Sequence, residues 1–428
     1  MDDPRKVFAK LTQKDASDAA ARHELLYSGR IGGARAVFAF TDLSGIDLSG
    51  RNLADADFTG AILEDANFSK SRLDSASFFG ADLRRANLTQ ASLRRADLRG
   101  VSLRGANLTG ADLFEADLRE GTIAQKDRYG NLKVMQHDVG PTELPEARLN
   151  FANLERAKLS GVVAVQADFS DAIMKNCRLV RANLRQARMT GCNLENADMS
   201  GCNLTGANLS GAVLIGTKMD FATLDGADLT DTLTTRSVGP DPGKLPVNLE
   251  GMLDAHGRWA ESDGREGMPA DLSGFDLRGL ANVNTRQLTA LIAKGAILYG
   301  LDLEGASLQG SNLQNADLRS ARLCGADLRG VNLSGARLTR SDLRDAKLGP
   351  LVIANDRLLP ARLEGIEARY TDFRGADLRA ASFKNADLSY ANLRDAHFRD
   401  NNLTGTTFTG AKLPQALVES LSKLVPGT

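Results

Sequence analysis

Large aromatic side chains are scarce in this chain: Phe, Tyr and Trp make up 5% of its 428 residues, with a single tryptophan. That scarcity argues against a core of the usual globular kind, so either the chain is disordered or buried apolar surface comes from elsewhere. Cysteine is rare too. Cys177, Cys192, Cys202 and Cys324 include no CxxC pair and have few histidines near them in sequence, which argues against a metal or redox centre. Runs of about eighteen apolar residues are missing, and the opening MDDPRKVFAKLTQKDASDAAAR has no apolar leader core, so a cytoplasmic protein without membrane insertion is expected. Neither sign of charge prevails, with 53 basic against 54 acidic residues. A generic nucleic-acid binder would carry a clear basic excess, so direct nucleic-acid binding is not expected.

What is present is a short period. Between Gly80 and Ile123 the chain reads GADLR RANLT QASLR RADLR GVSLR GANLT GADLF EADLR EGTI, with a central Leu every five residues (Leu83, Leu88, Leu93 and on to Leu118) and a small residue two places before each. A helix needs apolar spacings that average about 3.6, and a flat strand needs two. Here two and three alternate. In extended chain, residues two apart share a side and residues three apart do not. The chain must therefore bend once per unit to keep Ala and Leu inside, and stacked coils then bury what one coil cannot.

These A(D/N)LxX units, repeated over most of the chain, resemble the pentapeptide-repeat family. The resemblance implies an all-β solenoid, a right-handed quadrilateral parallel β-helix of four units, or about twenty residues, per coil, with short capping and inserted helices. Five-residue spacing alone does not separate three sides from four.

In chain order, residues 1–35 read as an N-terminal capping helix, in which VFAKL, Ala19 to Ala21, His23, Leu25 and Leu26 lead to a stop near Ser28 and Gly29. Residues 36–123 form a first repeat block from Phe38 to Ile123. Residues 124–146 break the ladder and read as a protruding hairpin turning at Tyr129, Gly130 and Asn131. Repeats resume at Leu149, one residue out of register, through a second block over 147–231. Residues 232–270 combine a Pro/Gly linker with a second capping helix. The order helix, His, large apolar residue, Gly bend, ladder occurs at His23 and again at His256 and Trp259, which suggests a duplicated cap. A third block covers 271–413. Within it Thr285, Leu288, Leu291, Ile292 and Gly295 predict an inserted helix over 285–294. GPLVIANDRLLPARL, where Leu348, Ile353, Leu358 and Leu363 keep the five-residue step, predicts an irregular coil and not an excursion. Residues 414–428 read as a C-terminal capping helix. One continuous rod and two rods, over about 1–235 and 247–428, both fit.

Chemistry is thin. His23, His137, His256 and His397 belong to no HxH or HExxH spacing, so no metal site is expected. Cys177, Cys192 and Cys202 hold the inward small-residue slot, and Cys324 falls outside. GxSxG-like strings are ladder, with Ser92 and Ser102 simply replacing Asp or Asn, and GGARA follows a helix, so no phosphate loop is expected. No catalytic residue and no cofactor is expected. Outward arginines remain: on four-sided coils Arg84 stacks on Arg104, and Arg99 on Arg119. Together with Lys126, Asp127, Arg128 and Tyr129 of the loop they are the candidate partner-binding residues.

The expected function is a non-enzymatic scaffold of the pentapeptide-repeat type, binding a protein partner through its faces and the 124–146 loop. The resemblance also implies an alternative, a bacterial DNA mimic that binds and protects DNA gyrase, with the loop after Ile123 placed like the projecting loops of such proteins. Mimicry needs a dominant negative surface, and this chain is balanced. Pairing of two chains through the C-terminal end is a further expectation.

Overall fold

The computed structural model describes residues 8–121, 124–126, 132–134, 141–240, 245, 247–353 and 356–424. The chain divides into two compact units, Met1–Arg236 and Ser237–Thr428.

Each five-residue unit turns the chain by the same local device. The N–H of the small residue bonds back to the central carbonyl three residues earlier, as in Ala86 to Leu83 at 3.1 Å. The residue before it has positive φ, as at Arg85 (57°) and Gln90 (58°). An i to i+3 bond with positive φ at the third residue is the mark of a type II turn. Between turns the chain pairs in parallel with the next coil. Val37 lies beside Asp57, Asp42 beside Ile62 and Asp47 beside Asn67, always twenty residues on. Four units thus make one coil. Central and small side chains are buried throughout, from Phe38 to Leu214 in the first unit and from Ala270 to Ala396 in the second. The register also explains the sparing aromatic use: Phe38, Phe58 and Phe78 fall in one column and stack at 5.1 and 4.8 Å between centroids.

In the first unit, β1 (Ala9–Lys10) pairs in parallel with β2 (Thr41–Asp42), so the described part of VFAKL, Phe8 to Leu11, is not helical as the sequence suggested. A backbone edge was available to it, and edge pairing satisfies groups that a helix end leaves open. Helix α1 (Gln13–Tyr27) begins at Thr12, whose side chain accepts the Asp15 N–H while Asp15 accepts the Thr12 N–H. After the first block, β3 (Ala124–Lys126) and β4 (Leu132–Val134) form an antiparallel pair. The ladder resumes one unit earlier than Leu149. Ser102 pairs with Glu143, 41 residues on, and Leu144 is buried. Residues 143–146 therefore belong to the coil, and the insertion is 21 residues longer than a regular turn.

The second unit opens with α2 (Leu249–Glu261), N-capped by Asn248. The helix expected over 285–294 is absent. A single 3-10 turn spans Val283–Thr285, and Gln287, Ile292 and Ile297 pair with Ser307, Asn312 and Asp317 as ordinary ladder. Asp271 pairs with Ile292 and Asp276 with Ile297, 21 residues on, so one extra residue is absorbed by the turn at Val283. The expectation failed because Leu288, Leu291 and Ile292 satisfy helical spacing while Leu288, Ala293 and Leu298 satisfy the five-residue step. Inter-coil pairing decides between them.

The reverse correction applies at 349–360. Asn332 pairs with Arg362, thirty residues on, and the ten extra residues leave the coil as an antiparallel hairpin of β5 (Leu351–Ile353) and β6 (Arg357–Leu359). Leu351 and Leu359 lie over Gly330, where a Cβ would come within 2.9 and 3.0 Å of them. Val352 and Leu358 face outward, 63% and 61% exposed, so Leu358 is not a core residue. Helix α3 (Gln415–Leu424) follows the last coil, with Leu417 buried.

Candidate functional site

Where the residue before a central Leu is an Asp or Asn, it is so for a structural reason. Its Oδ1 accepts the backbone N–H two residues on, as Asp47 does from Ser49 (2.8 Å) and Asn107 from Thr109 (3.1 Å). When that second residue is Arg, its guanidinium swings back onto the same carboxylate. Arg99 donates Nε to Asp97 Oδ1 at 2.8 Å and Nη2 to Oδ2 at 2.7 Å. The fork recurs at Asp82 with Arg84, Asp117 with Arg119, Asp327 with Arg329 and Asp342 with Arg344. Two-toothed pairing of this kind fixes both side chains. It also holds the Asp342 carboxyl below the usual carboxylate range, through the Arg344 guanidinium. At Asp117 burial pushes the pKa up, and the Arg119 guanidinium and N–H outweigh it.

Arg84 and Arg104 sit one coil apart, as do Arg99 and Arg119, since Asp82 pairs with Ser102 and Asp97 with Asp117. All four have carboxylate partners. Arg84 meets Asp82 and Glu64, Arg99 meets Asp97 and also lies 4.9 Å over the Phe79 ring, and Arg119 meets Asp117. Arg104 is held least, by one 3.4 Å contact to Glu143. Lys126 is placed by its backbone, opposite Leu132 in the hairpin. Asp127, Arg128 and Tyr129 lie outside the described residues, as does His137.

A shallow cleft of about 210 Å³ is lined by Ala54, Asp55, Arg72, Asp74, Ser75, Arg94 and Arg95. Its arginines are held by Asp74, Asp112 and Glu115 at 2.9, 2.8 and 3.0 Å, so an anion would have to displace a carboxylate. Asp55 also accepts a hydrogen bond from the Tyr27 hydroxyl, and that phenol is pushed up to about 12 by burial and by that bond. Among the described residues no group of three His, Cys, Asp or Glu could hold a metal ion. Cys177 and Cys202 are buried and donate to the Leu154 and Leu179 carbonyls, and burial raises both thiol pKa values, Cys202 to about 12. His397 is exposed.

Two features escaped the sequence reading. One is the pair of buried histidines. His23 accepts the Ala36 N–H on Nδ1 (3.0 Å) and reaches the Ala54 carbonyl with Nε2 (2.8 Å); His256 does the same with Ala270 (3.1 Å) and Thr289 (3.1 Å). Each packs an aromatic ring, Tyr27 or Trp259. In each cap a glycine three residues before that Ala passes a helix backbone so closely that a Cβ would lie 2.3 Å (Gly33) or 2.1 Å (Gly267) from it. The other is residues 172–191, one full coil, which carries Lys175, Arg178, Arg181, Arg185 and Arg188 and no carboxylate. Counting charge per twenty residues instead of per chain would have found it.

This geometry defines a class: a protein of stacked four-unit coils whose outward side chains form straight rows. Pentapeptide repeats match residues 41–120, 152–231, 293–349 and 361–417, well over half of the chain. Among solved structures, the pentapeptide repeat protein Rfr23 from the cyanobacterium Cyanothece 51142 is 30% identical over 30% of this chain and 88% of its own, with a TM-score of 0.26. HetL, a pentapeptide repeat protein involved in heterocyst differentiation regulation from Nostoc sp. strain PCC 7120, is 25% identical over 79% of this chain and 97% of its own, with a TM-score of 0.19. A pentapeptide repeat protein from the Arabidopsis thaliana thylakoid lumen is 31% identical over 31% of this chain and 66% of its own, with a TM-score of 0.15. No curated protein matches. The chain belongs to the pentapeptide-repeat family, an assignment that rests on the repeat match and not on these superpositions. No helix among the described residues is long and apolar enough to cross a membrane.

Proposed function

We propose that this chain is a non-enzymatic cytoplasmic scaffold, a right-handed quadrilateral β-helix that binds a protein partner through its faces and the loop over 124–146. The observation that carries the reading is the register: twenty-residue pairing holds outward side chains in rows while the inward ones are consumed by packing. Arg84, Arg99, Arg104, Arg119 and Lys126 to Tyr129 form the partner surface next to the loop, with Arg104 the easiest for a partner's carboxylate to recruit. Surface rows neutralised by the Asp–Arg forks do not favour DNA mimicry.

The test is site-specific photocrosslinking from position 104 or 126 of the full chain in a cell lysate. A discrete adduct, lost when residues 126–140 are replaced by a short Gly/Ser linker, supports the reading; no discrete adduct from either position overturns it. In a gyrase supercoiling assay with and without a fluoroquinolone, added protein is expected to change nothing. Protection lost with the same replacement would make gyrase modulation the function.

A further inference from the structure

One side-chain atom decides whether an arginine of the ladder is occupied. Every Asp-Leu-Arg triplet forks, Asp276 with Arg278, Asp317 with Arg319 and Asp377 with Arg379 among them. The chain has two Asn-Leu-Arg triplets, ending at Arg185 and Arg394, and both arginines are exposed with no ion-pair partner among the described residues. Asn183 shows why. Its Oδ1 accepts the Arg185 N–H at 3.3 Å, as an aspartate would, but the second atom of its head is an amide nitrogen, which cannot receive a guanidinium.

Arg185 shares a side of the coil with Arg181. The turns over 179–182 and 184–187 bound that side, with Asn183 outward at its middle and the two arginines at its corners. Arg181 also stands open. Arg85, at the equivalent position of another turn, is held by Asp65 one coil earlier, whereas the neighbours of Arg181 in its column are Gly161 and Gly201. Its stem runs past Gly201, 3.4 Å from where a Cβ would lie.

Three successive rows of this side, 161–166, 181–186 and 201–206, carry no carboxylate. Glu143 and Glu146 bound the surface in one direction and Asp225 in the other, each two strand spacings, or about 10 Å, from the arginine row. An anion that fits between them is short. A nucleic acid running along the side would meet those carboxylates, and a few acidic residues would not. Half-buried Val163 and Val165 fill the row before the arginines. The same side carries Arg104: Gly105 N–H bonds to the Pro145 carbonyl, Glu146 N–H to that of Val165 and Gln166 N–H to that of Arg185, so Arg104, Pro145, Val165 and Arg185 form one column. Its two arginines are three spacings, or about 14 Å, apart.

Resting on the scaffold reading above, we propose that Arg181 and Arg185, with the Asn183 amide between them, receive the carboxylates of a short acidic segment of the protein partner, whose apolar residues lie on Val163 and Val165. Asn183 keeps this receptor open, because an aspartate in its place would occupy Arg185.

The test is fluorescence anisotropy on the full chain at 50 mM salt, with a labelled peptide Glu-Asp-Val-Val-Asp-Glu as the probe. Saturable binding is expected, lost with the amide counterpart Gln-Asn-Val-Val-Asn-Gln and weakened at least about tenfold at 500 mM salt. Asn183→Asp is expected to weaken it at least about tenfold with both arginines still present, because the new carboxylate forks Arg185. Asn208→Asp adds the same charge on the next side, where Ser210 follows in place of an arginine, and is expected to change binding less than about twofold. Circular dichroism of each variant establishes that the coils are intact. Absence of salt-sensitive binding by the wild type overturns the inference, as does binding indifferent to Asn183→Asp or an equal loss from Asn208→Asp. Duplex DNA bound through the same arginines more tightly than the peptide overturns it as well. Photocrosslinking from positions 104 and 126 separates the two readings: adducts without peptide binding overturn only the acidic-segment receptor, and peptide binding without adducts overturns only the partner surface beside the loop.

Discussion

Nδ1 of His256 accepts the backbone N–H of Ala270 at 3.1 Å, so the buried ring is neutral and carries its proton on Nε2, toward the Thr289 carbonyl. A second proton would have to enter where Nδ1 already accepts, and the Ala270 N–H would lose its partner. Burial, the main cause, lowers the His256 pKa below its ordinary 6.5, while the bond to Thr289 opposes it.

A pH dependence with a defined sign follows. Below pH 6.5 the unfolded chain binds a proton that the folded ring resists, so the unfolded state gains. Stability is full above 6.5 and falls as pH drops, by at most about 1.4 kcal/mol per pH unit until the folded ring titrates. Thermal unfolding at pH 7.5 and 5.5 is expected to show a lower midpoint in acid. His256→Asn is expected to lower both midpoints and to shrink the difference between them; an undiminished difference would assign the acid sensitivity to other groups.

At Gln90 a non-glycine residue sits at φ 58° in the turn between two core leucines. A left-handed residue with a Cβ costs about 1–2 kcal/mol, and glycine gives back part of that as entropy in the unfolded chain. Gln90→Gly is expected to stabilise the first unit by about 0.5–1 kcal/mol, raising its melting temperature with the spectrum unchanged. A loss of stability would show that the Gln90 side chain contributes more to the fold than its strained turn costs.

The Asp342 carboxyl is held low chiefly by the Arg344 fork. Its stabilisation is present above the unfolded value near 3.8 and disappears as pH falls through the lower folded value. Both groups are partly exposed, so solvent screening keeps the worth of the pair to about 1 kcal/mol or less. Asp342→Asn is expected to cost about that much at pH 6 and less at pH 2.5, below the unfolded value of 3.8. Chemical denaturation at both pH values measures it.

Much of the architecture was legible in one dimension because each unit closes on itself. Alternating two-and-three spacing forces the bend, and the central Leu and inward Ala it predicts are buried from Leu43 to Leu214 and, apart from the 349–360 hairpin, from Leu288 to Leu393. Cys177, Cys192 and Cys202 are buried where the pattern put them. The D-L-R fork is local as well, since two residues of one strand share a side. Local patterns failed where two periods coincided. The helix expected over 285–294 and the coil expected over 349–360 each met the spacing of the wrong element, and coil-to-coil pairing reversed both.

Amino-acid order alone therefore determined the repeat, its buried positions and the family, because those depend on contacts within five residues. Tertiary structure decided which residues lie in one column, because a column crosses insertions whose lengths add to the register. Ser102 meets Glu143 41 residues on, and Asn332 meets Arg362 thirty on. Column membership in turn decides whether an arginine is neutralised, as Arg104 is by Glu143, or stands open to a partner, as Arg185 does. Charge balance over the whole chain could not show this, since electrostatic contact is set by distance in space and not by composition.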